Sequence, residues 1–310
     1  MSVSAIREIT LGVGHLRRQV SFYGSAFGLR VTAKGRVPAA VAEALWRHDD
    51  LVDAVVMARL DLPHGTRLRL LRTSGLPARP DFDVSVPGPL GVVWGAGSSR
   101  RTYYRLSGAG VEFHAAPATD AEGDDTDTTL YGRTVDGEYA VIAPRSGPDH
   151  DPRRRGTPSR HFGVTEPIAV SLVTVDPAAD ASFLERVFGW TRLDAARRDD
   201  PAALRAMGLG PELAHEVEWF GVSGDSGALL ELVHFGRSGA TTVQPPARGI
   251  AALRVDCEAL DAVLEAARDA GAQLVGDPFE VDDVALGRGR VATLQPSFGL
   301  MIELWEPAPR

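Results

Sequence analysis

The chain has 310 residues, 44% hydrophobic and 24% charged, a profile that suits a globular protein of two domains at about 150 residues each. A net charge of −8 argues against a nucleic-acid-binding surface, and the one basic run, Arg153 to Arg155, lies among Pro, Gly and Asp as a solvated segment. A single cysteine, Cys257, excludes an internal disulfide and a cysteine zinc site, and no leader pattern or apolar run of about 18 residues is present, so a cytoplasmic protein without membrane partners is expected.

The first strand is Ile6 to Val13, where apolar and polar residues alternate. His15 to Phe27 then carries Leu16, Val20, Tyr23 and Phe27 at helical spacing, and Gly28 suits the helix C-cap. Strands follow at Arg30 to Thr32, Val52 to Leu60 and Arg67 to Leu71, with a short helix at Pro38 to Trp46 between the first two. The order then repeats: a strand at Leu90 to Trp94, a helix at Ser98 to Leu106, and strands at Val111 to His114, Thr128 to Arg133 and Tyr139 to Ile142. Asp120 to Thr128 is acidic but lacks the glycine and terminal glutamate of an EF-hand, and reads as a solvated loop.

A larger repeat encloses this one. "VSFYGSAFGLRV" is echoed by "ASFLERVFGWTRL", placing Phe22, Phe27 and Gly28 on Phe183, Phe188 and Gly189 at a shift of 161. "LSGAGVEFHAAP" matches "ARDAGAQLVGDP" at the same shift, and Gly137 matches Gly299 at 162. The second half also repeats the short helix, as Pro201 to Gly210. The expected organisation is therefore residues 1–145 and 166–310 as duplicated domains, with 146–165 as linker. The seam, Ala143 to Pro167, is rich in Pro, Gly and charge; His150 and His161 within it read as solvated.

Four βαβββ units, with Phe-Gly closing the first helix of each half and Ala-Gly turns in the even units, resemble the vicinal oxygen chelate superfamily, which includes glyoxalase I, bleomycin-resistance proteins and extradiol dioxygenases. "FGLMIELWEP" (Phe298 to Pro307) looks like its usual last strand. The resemblance implies an α+β fold of four βαβββ modules forming two duplicated half-open β-barrel domains. It also implies metal ligands on the first and fourth strands of each module, typically His and Glu, leaving open positions for vicinal substrate oxygens.

At those positions the first half offers Glu8, Arg69, a histidine-free "GPLGVVW" and Val141; the second offers Val170, Glu231, Ile250 and Glu303. A 162-residue shift relates Glu8 to Val170, Arg69 to Glu231 and Val141 to Glu303. Neither half has a complete metal set, so no cofactor is expected; a divalent metal, if bound, would rest on Glu231 and Glu303. His215 and His234 read as surface or satisfied structural histidines, His234 because its odd spacing from Glu231 turns it to the other face.

Two carboxylates in one low-dielectric cavity would split their pKa values and act as acid and base, so Glu231 and Glu303 are the candidate catalytic residues. Glu8, Arg69, Val170, Ile250, Trp219 and Trp305 are candidate pocket residues, with Trp46, Trp94, Tyr103, Tyr104, Trp190 and Phe220 as further aromatic supply and the two short helices as lids. This reading gives a metal-independent isomerase, lyase or cyclase acting on a small aromatic or polyketide-like molecule. The alternatives are a bleomycin-resistance-type binder and a metal-dependent glyoxalase or dioxygenase with displaced ligands. The expected partner is a small molecule, and the chain a monomer or homodimer. Glu8 and Arg69 are expected to pair where a metal would otherwise sit.

Overall fold

The computed structural model describes residues 3–48, 52–62, 64–72, 86–117, 129–134, 136–145, 156–199, 201–206, 208–210, 213–236 and 248–309. Arg153 to Arg155, His150, the acidic loop at 120–128 and the first half of the linker lie outside the described residues. Module 1 comprises β1 (Val3–Val13), α1 (Leu16–Phe27), β2 (Arg30–Val37), α2 (Ala39–Trp46), β3 (Val52–Ala58) and β4 (Arg67–Arg72). Module 2 comprises β5 (Gly88–Ala96), α3 (Ser99–Gly108), β6 (Glu112–Phe113), β7 (Leu130–Arg133) and β8 (Tyr139–Pro144). Module 3 has β9 (Val164–Val173), α4 (Pro177–Phe183) running into a π-wound turn (Leu184–Phe188), β10 (Thr191–Arg198), α5 (Pro201–Ala206), β11 (His215–Gly221) and β12 (Leu229–His234). Module 4 has β13 (Gly249–Cys257), α6 (Leu260–Asp269), β14 (Gln273–Leu274), β15 (Phe279–Asp283), β16 (Gly287–Gln295) and β17 (Met301–Pro307).

Local chemistry sets the helix ends. α1 buries Phe22, Tyr23, Ala26 and Phe27, and stops at Gly28, whose φ of 74° lets its N–H reach the Tyr23 carbonyl. The equivalent Gly189, at φ 67°, ends the π-wound turn. Ser98 and Asp176 cap α3 and α4 by accepting from the N–H groups of Arg101 and Ala179.

The strands form two sheets. One runs β14-β16-β17-β13-β1-β4-β3-β2, with β15 against β16; the other runs β10-β11-β12-β9-β5-β8-β7-β6. At the centre of the first, β1 pairs antiparallel with β13; at the centre of the second, β5 pairs antiparallel with β9. Modules 1 and 4 therefore share one sheet and modules 2 and 3 the other. The α+β class and the duplicated half-open sheets are as expected, but each sheet crosses between residues 1–145 and 166–310. A βαβββ module leaves the outer edge of its first strand unpaired, and any similar module can satisfy that edge. Strand pattern alone does not choose among three such partners.

Alternation along the strands divides the apolar residues between the two faces of each sheet. One face of both sheets joins α1, α3, α4 and α6 in a single continuous core. The other faces enclose smaller clusters, around Trp305 and Leu286 in the first sheet and around Trp219 and Val233 in the second. Each sheet curls over its cluster. In the first, Gly35 of β2 packs so near the β15–β16 turn that a Cβ there would lie 3.4 Å from the Ala285 Cβ. In the second, Gly208 after α5 lies similarly close to His114 after β6.

The sheets are stitched together at β1. Ile6 and Ala228 exchange backbone hydrogen bonds at 3.2 and 3.1 Å, Arg7 forks onto Asp225 at 2.8 Å, and the Trp190 indole donates to the Ser4 carbonyl at 3.0 Å. The described end of the linker is tied down by Arg59 and Arg145, which donate to the carbonyls of Thr157 and Gly156. Among the described residues no helix is long and apolar enough to cross a membrane.

Candidate functional site

The first and fourth strands of paired modules lie side by side at the centre of each sheet, so their inward side chains form rows. In the first sheet one row is Met301, Ala252, Thr10 and Arg69, and the next is Glu303, Arg254, Glu8 and Arg67. In the second sheet the corresponding rows are Tyr139, Gly91, Ser171 and Glu231, then Val141, Val93, Ala169 and Leu229. Arg69 and Glu231 therefore hold equivalent places. Glu8, Arg254 and Glu303 correspond to Ala169, Val93 and Val141.

The first sheet is closed by its own charges. Arg69 is fully buried between two carboxylates: its Nη2 pairs with Glu8 Oε1, and its Nη1 lies 2.8 Å from both oxygens of Glu303. Glu303 Oε1 also accepts from the Trp46 indole at 2.8 Å and from the Thr10 hydroxyl at 3.5 Å. Glu8 has a second cation, Arg67 Nε, at 3.2 Å. Burial alone would raise the Glu8 carboxyl, but Arg69, Arg67 and Arg254 outweigh it and hold the group below the usual carboxylate range. Burial would likewise lower the Arg69 guanidinium, and Glu303 and Glu8 raise it instead. Arg254 lies 4.0 Å over the Trp305 ring and donates to the Leu286 carbonyl at 2.8 Å. Among these residues Glu8, Arg69 and Glu303 are at most 1% exposed.

The second sheet presents one carboxylate on an apolar floor. The Ser171 hydroxyl donates to Glu231 Oε2, and Trp219 stands directly across from Glu231 on β11. Arg198 lies 5.7 Å over the Trp219 ring. Val93, Val141, Ala169, Val173, Val217, Leu229 and Val233 supply the surrounding floor, with Leu209 and Leu213 of the α5–β11 connection packed over it.

Residues 161–286 match the family described as the Glyoxalase/Bleomycin resistance protein/Dioxygenase superfamily. A point mutant of glyoxalase I from Zea mays superposes with a TM-score of 0.67 at 15% identity, over 97% of this chain and 92% of that one. A putative dioxygenase from Bacillus subtilis superposes at 0.60 and 15% identity, over 99% of this chain and 86% of that one. No curated protein matches. Residues 161–286 carry this family's sequence pattern, and the whole chain shares its fold. At such identities the structural likeness carries the fold and no activity.

Superfamily metal sites draw on the row positions just described, and these side chains do not fit a metal ion. In the first sheet the Arg69 guanidinium already supplies the positive charge between Glu8 and Glu303. In the second, Ala169, Val93 and Val141 leave Glu231 with no second anionic or imidazole donor from those strands, and two or more are needed for a tight divalent site. Among the described residues no three His, Cys, Asp or Glu side chains converge.

The structure brings together Glu8, Arg69 and Glu303, and, in the other sheet, Glu231 and Trp219. The single cavity expected for Glu231 and Glu303 is not formed, because β12 and β17 belong to different sheets. Trp305 sits with Arg254, on the same side as Glu303. Val170 and Ile250 turn into the shared core, and Ala169 and Ala252 hold the inward positions instead. For Val170 the cause is register: the first strands follow the 161-residue shift, not 162, and one residue reverses the face. Trp94, Trp190 and Phe220 also lie in the shared core, and Tyr104 is exposed. His234 turns away from Glu231, with its ring near the Thr174 carbonyl, as its spacing requires.

His215 departs from its reading as a surface or satisfied residue. It is buried on the inward face, against Phe235 with ring centroids 4.8 Å apart, and its Nδ1 has no hydrogen-bond partner. Burial pushes its pKa down to about 4, with the Leu213 backbone opposing, so the ring is neutral. A second missed group lies outside both inward faces. The Tyr23 hydroxyl donates to Glu138 at 2.7 Å, while the Gln19 amide and the Gly14 N–H donate to Asp136 at 2.9 and 3.2 Å. Burial raises the Glu138 carboxyl despite the Tyr23 bond. Helical spacing had marked Tyr23 only as apolar.

Proposed function

We propose that this protein binds a small, flat, largely apolar molecule on the inward face of the second sheet, without a metal, and grips it through Glu231. The supporting observation is the difference in charge at equivalent positions, together with the apolar cluster on the inward face of the second sheet. Arg69 is held between two carboxylates, whereas at the equivalent place the second sheet carries a carboxylate, Glu231, with Ser171 orienting one of its oxygens and Trp219 directly across from it. A mostly apolar recess with a few aimed polar groups is the usual form of a small-molecule site.

The test uses 2-naphthol as a flat probe with one hydroxyl, followed by calorimetry and tryptophan fluorescence. Saturable one-site binding is expected. A hydrogen bond to a charged group contributes about 1.5–3 kcal/mol, so Glu231→Gln weakens binding roughly tenfold or more. Absence of saturable binding, or an unchanged affinity in Glu231→Gln, overturns the proposal.

A second reading is proton transfer, in which Glu231, aimed by Ser171, serves as the base of an isomerase- or lyase-type reaction at an activated C–H. Glu303 is not its partner acid, since Arg69 and Trp46 hold it in the other sheet. Solvent-deuterium exchange into 2-tetralone, catalysed by the native protein and lost in Glu231→Gln, supports this reading. Binding without exchange leaves sequestration.

A further inference from the structure

The two halves of the chain meet along two seams, β1 with β13 and β5 with β9, although four modules can be joined in pairs in three ways. The backbone edge of β1 would accept any similar first strand. The side chains around it are more selective. Glu303, on β17 of module 4, is fully buried, and among the described residues every hydrogen bond to its carboxylate comes from module 1. Arg69 Nη1 of β4 lies 2.8 Å from both oxygens, while the Trp46 indole of α2 donates at 2.8 Å and the Thr10 hydroxyl of β1 at 3.5 Å. In the other direction, Glu8 of module 1 stands opposite Arg254 of module 4.

Arg69, Val141, Glu231 and Glu303 hold the same place on the last strands of modules 1 to 4. Pairing module 4 with module 3 would set Glu303 against Glu231, and pairing it with module 2 would set it against Val141. Either choice strips a buried carboxylate of Arg69, Trp46 and Thr10. Breaking a buried ion pair shifts an equilibrium by about a hundredfold or more. Such pairs add little net stability, and their best-attested use is to fix which partner and register a sequence adopts. We infer that Glu303 is the residue by which module 4 recognises module 1, so that buried charge selects the crossed pairing of the halves over its two alternatives. This is independent of the binding reading above.

The chain supplies its own reporter. Cys257 is its single cysteine and lies opposite Val3 across the β1–β13 seam, a spacing that suits a disulfide. Full-length Val3→Cys, refolded from urea in a glutathione redox buffer, closes an intrachain disulfide only when module 1 lies beside module 4. Thiol titration and non-reducing gels count the closed chains, and nearly every chain is expected to close. Adding Arg69→Met, Glu8→Gln and Glu303→Gln removes the charges together. The closed fraction should then fall roughly twofold or more, towards the third that three equally stable pairings would give. An unchanged fraction, whatever happens to the urea midpoint, overturns the inference, because the charges then stabilise without selecting. If that variant does not refold, Glu303→Gln alone in the Val3→Cys chain decides, since it keeps an acceptor for Trp46. A lower closed fraction there supports the inference, and an equal one overturns it. Failure of Val3→Cys itself to close the bond overturns it as well.

Discussion

Replacing Arg69 with methionine removes the cation that two buried carboxylates share. In the native protein Glu303 receives Arg69 Nη1 at 2.8 Å on both oxygens, and Glu8 receives Nη2. After substitution Glu303 retains the Trp46 N–H and the Thr10 hydroxyl, and Glu8 retains Arg67, which is 41% exposed and screened by solvent. Breaking one side of a buried ion pair costs about 3–5 kcal/mol, because a charge is left uncompensated in low dielectric. With a urea m-value of about 3 kcal/mol/M, the midpoint falls by about 1 M or more. The loss should shrink as pH falls, because the stranded Glu8 carboxylate then takes up a proton. Adding Glu8→Gln and Glu303→Gln to Arg69→Met should recover most of the stability. If Arg69→Met lies within about 1 kcal/mol of the native protein, or the triple variant recovers nothing, the argument that Arg69 neutralises this site is wrong.

His215 gives a pH signature of opposite sense. Its folded pKa of about 4 lies below the ordinary 6.5, so the unfolded chain binds a proton first. Stability should be complete above about pH 6.5 and fall by roughly 3 kcal/mol towards pH 4, a slope that pH-dependent urea melts would find missing in His215→Phe. Gly28 and Gly189 share the left-handed C-cap, but a Cβ on Gly28 would stand 2.5 Å from the Phe162 ring, while none of the described residues approaches within 4 Å at Gly189. Gly189→Ala should therefore cost about 1 kcal/mol and Gly28→Ala clearly more; equal losses in thermal melts would refute the contribution of Phe162. Cys257 is buried, and burial pushes its thiol up to about 12, so a thiol reagent at neutral pH should label it only at the rate of unfolding.

Local pattern carried most of the fold. The strands, the Phe-Gly helix ends and the 161-residue repeat are set by side-chain period and by glycine geometry, both written in short segments. Which module pairs with which was not legible, because β1 can satisfy its edge equally well with any similar first strand. The site was legible in part for the same reason. The fourth-strand positions Arg69, Glu231 and Glu303 were found, and so was the pairing of Glu8 with Arg69. The separation of Glu231 from Glu303 depended on the long-range pairing that local sequence does not encode. Val170 failed by one residue of register. His215 was missed because its role comes from burial beneath Leu213 and beside Phe235, and its neighbours in sequence give no sign of this.

The crossing of the sheets between the two halves has a consequence in symmetry. Two copies of a two-module protein, each lending its first module to the other's second, would form an isologous dimer with two identical sheets. This chain has that arrangement with the two copies joined end to end, so the identity of its sheets is no longer imposed by a rotation axis. A substitution in a true dimer would appear twice; here Arg69 and Glu231 occupy equivalent places with opposite charge. One sheet is braced by its own ion pairs, and the other carries Glu231 among apolar side chains.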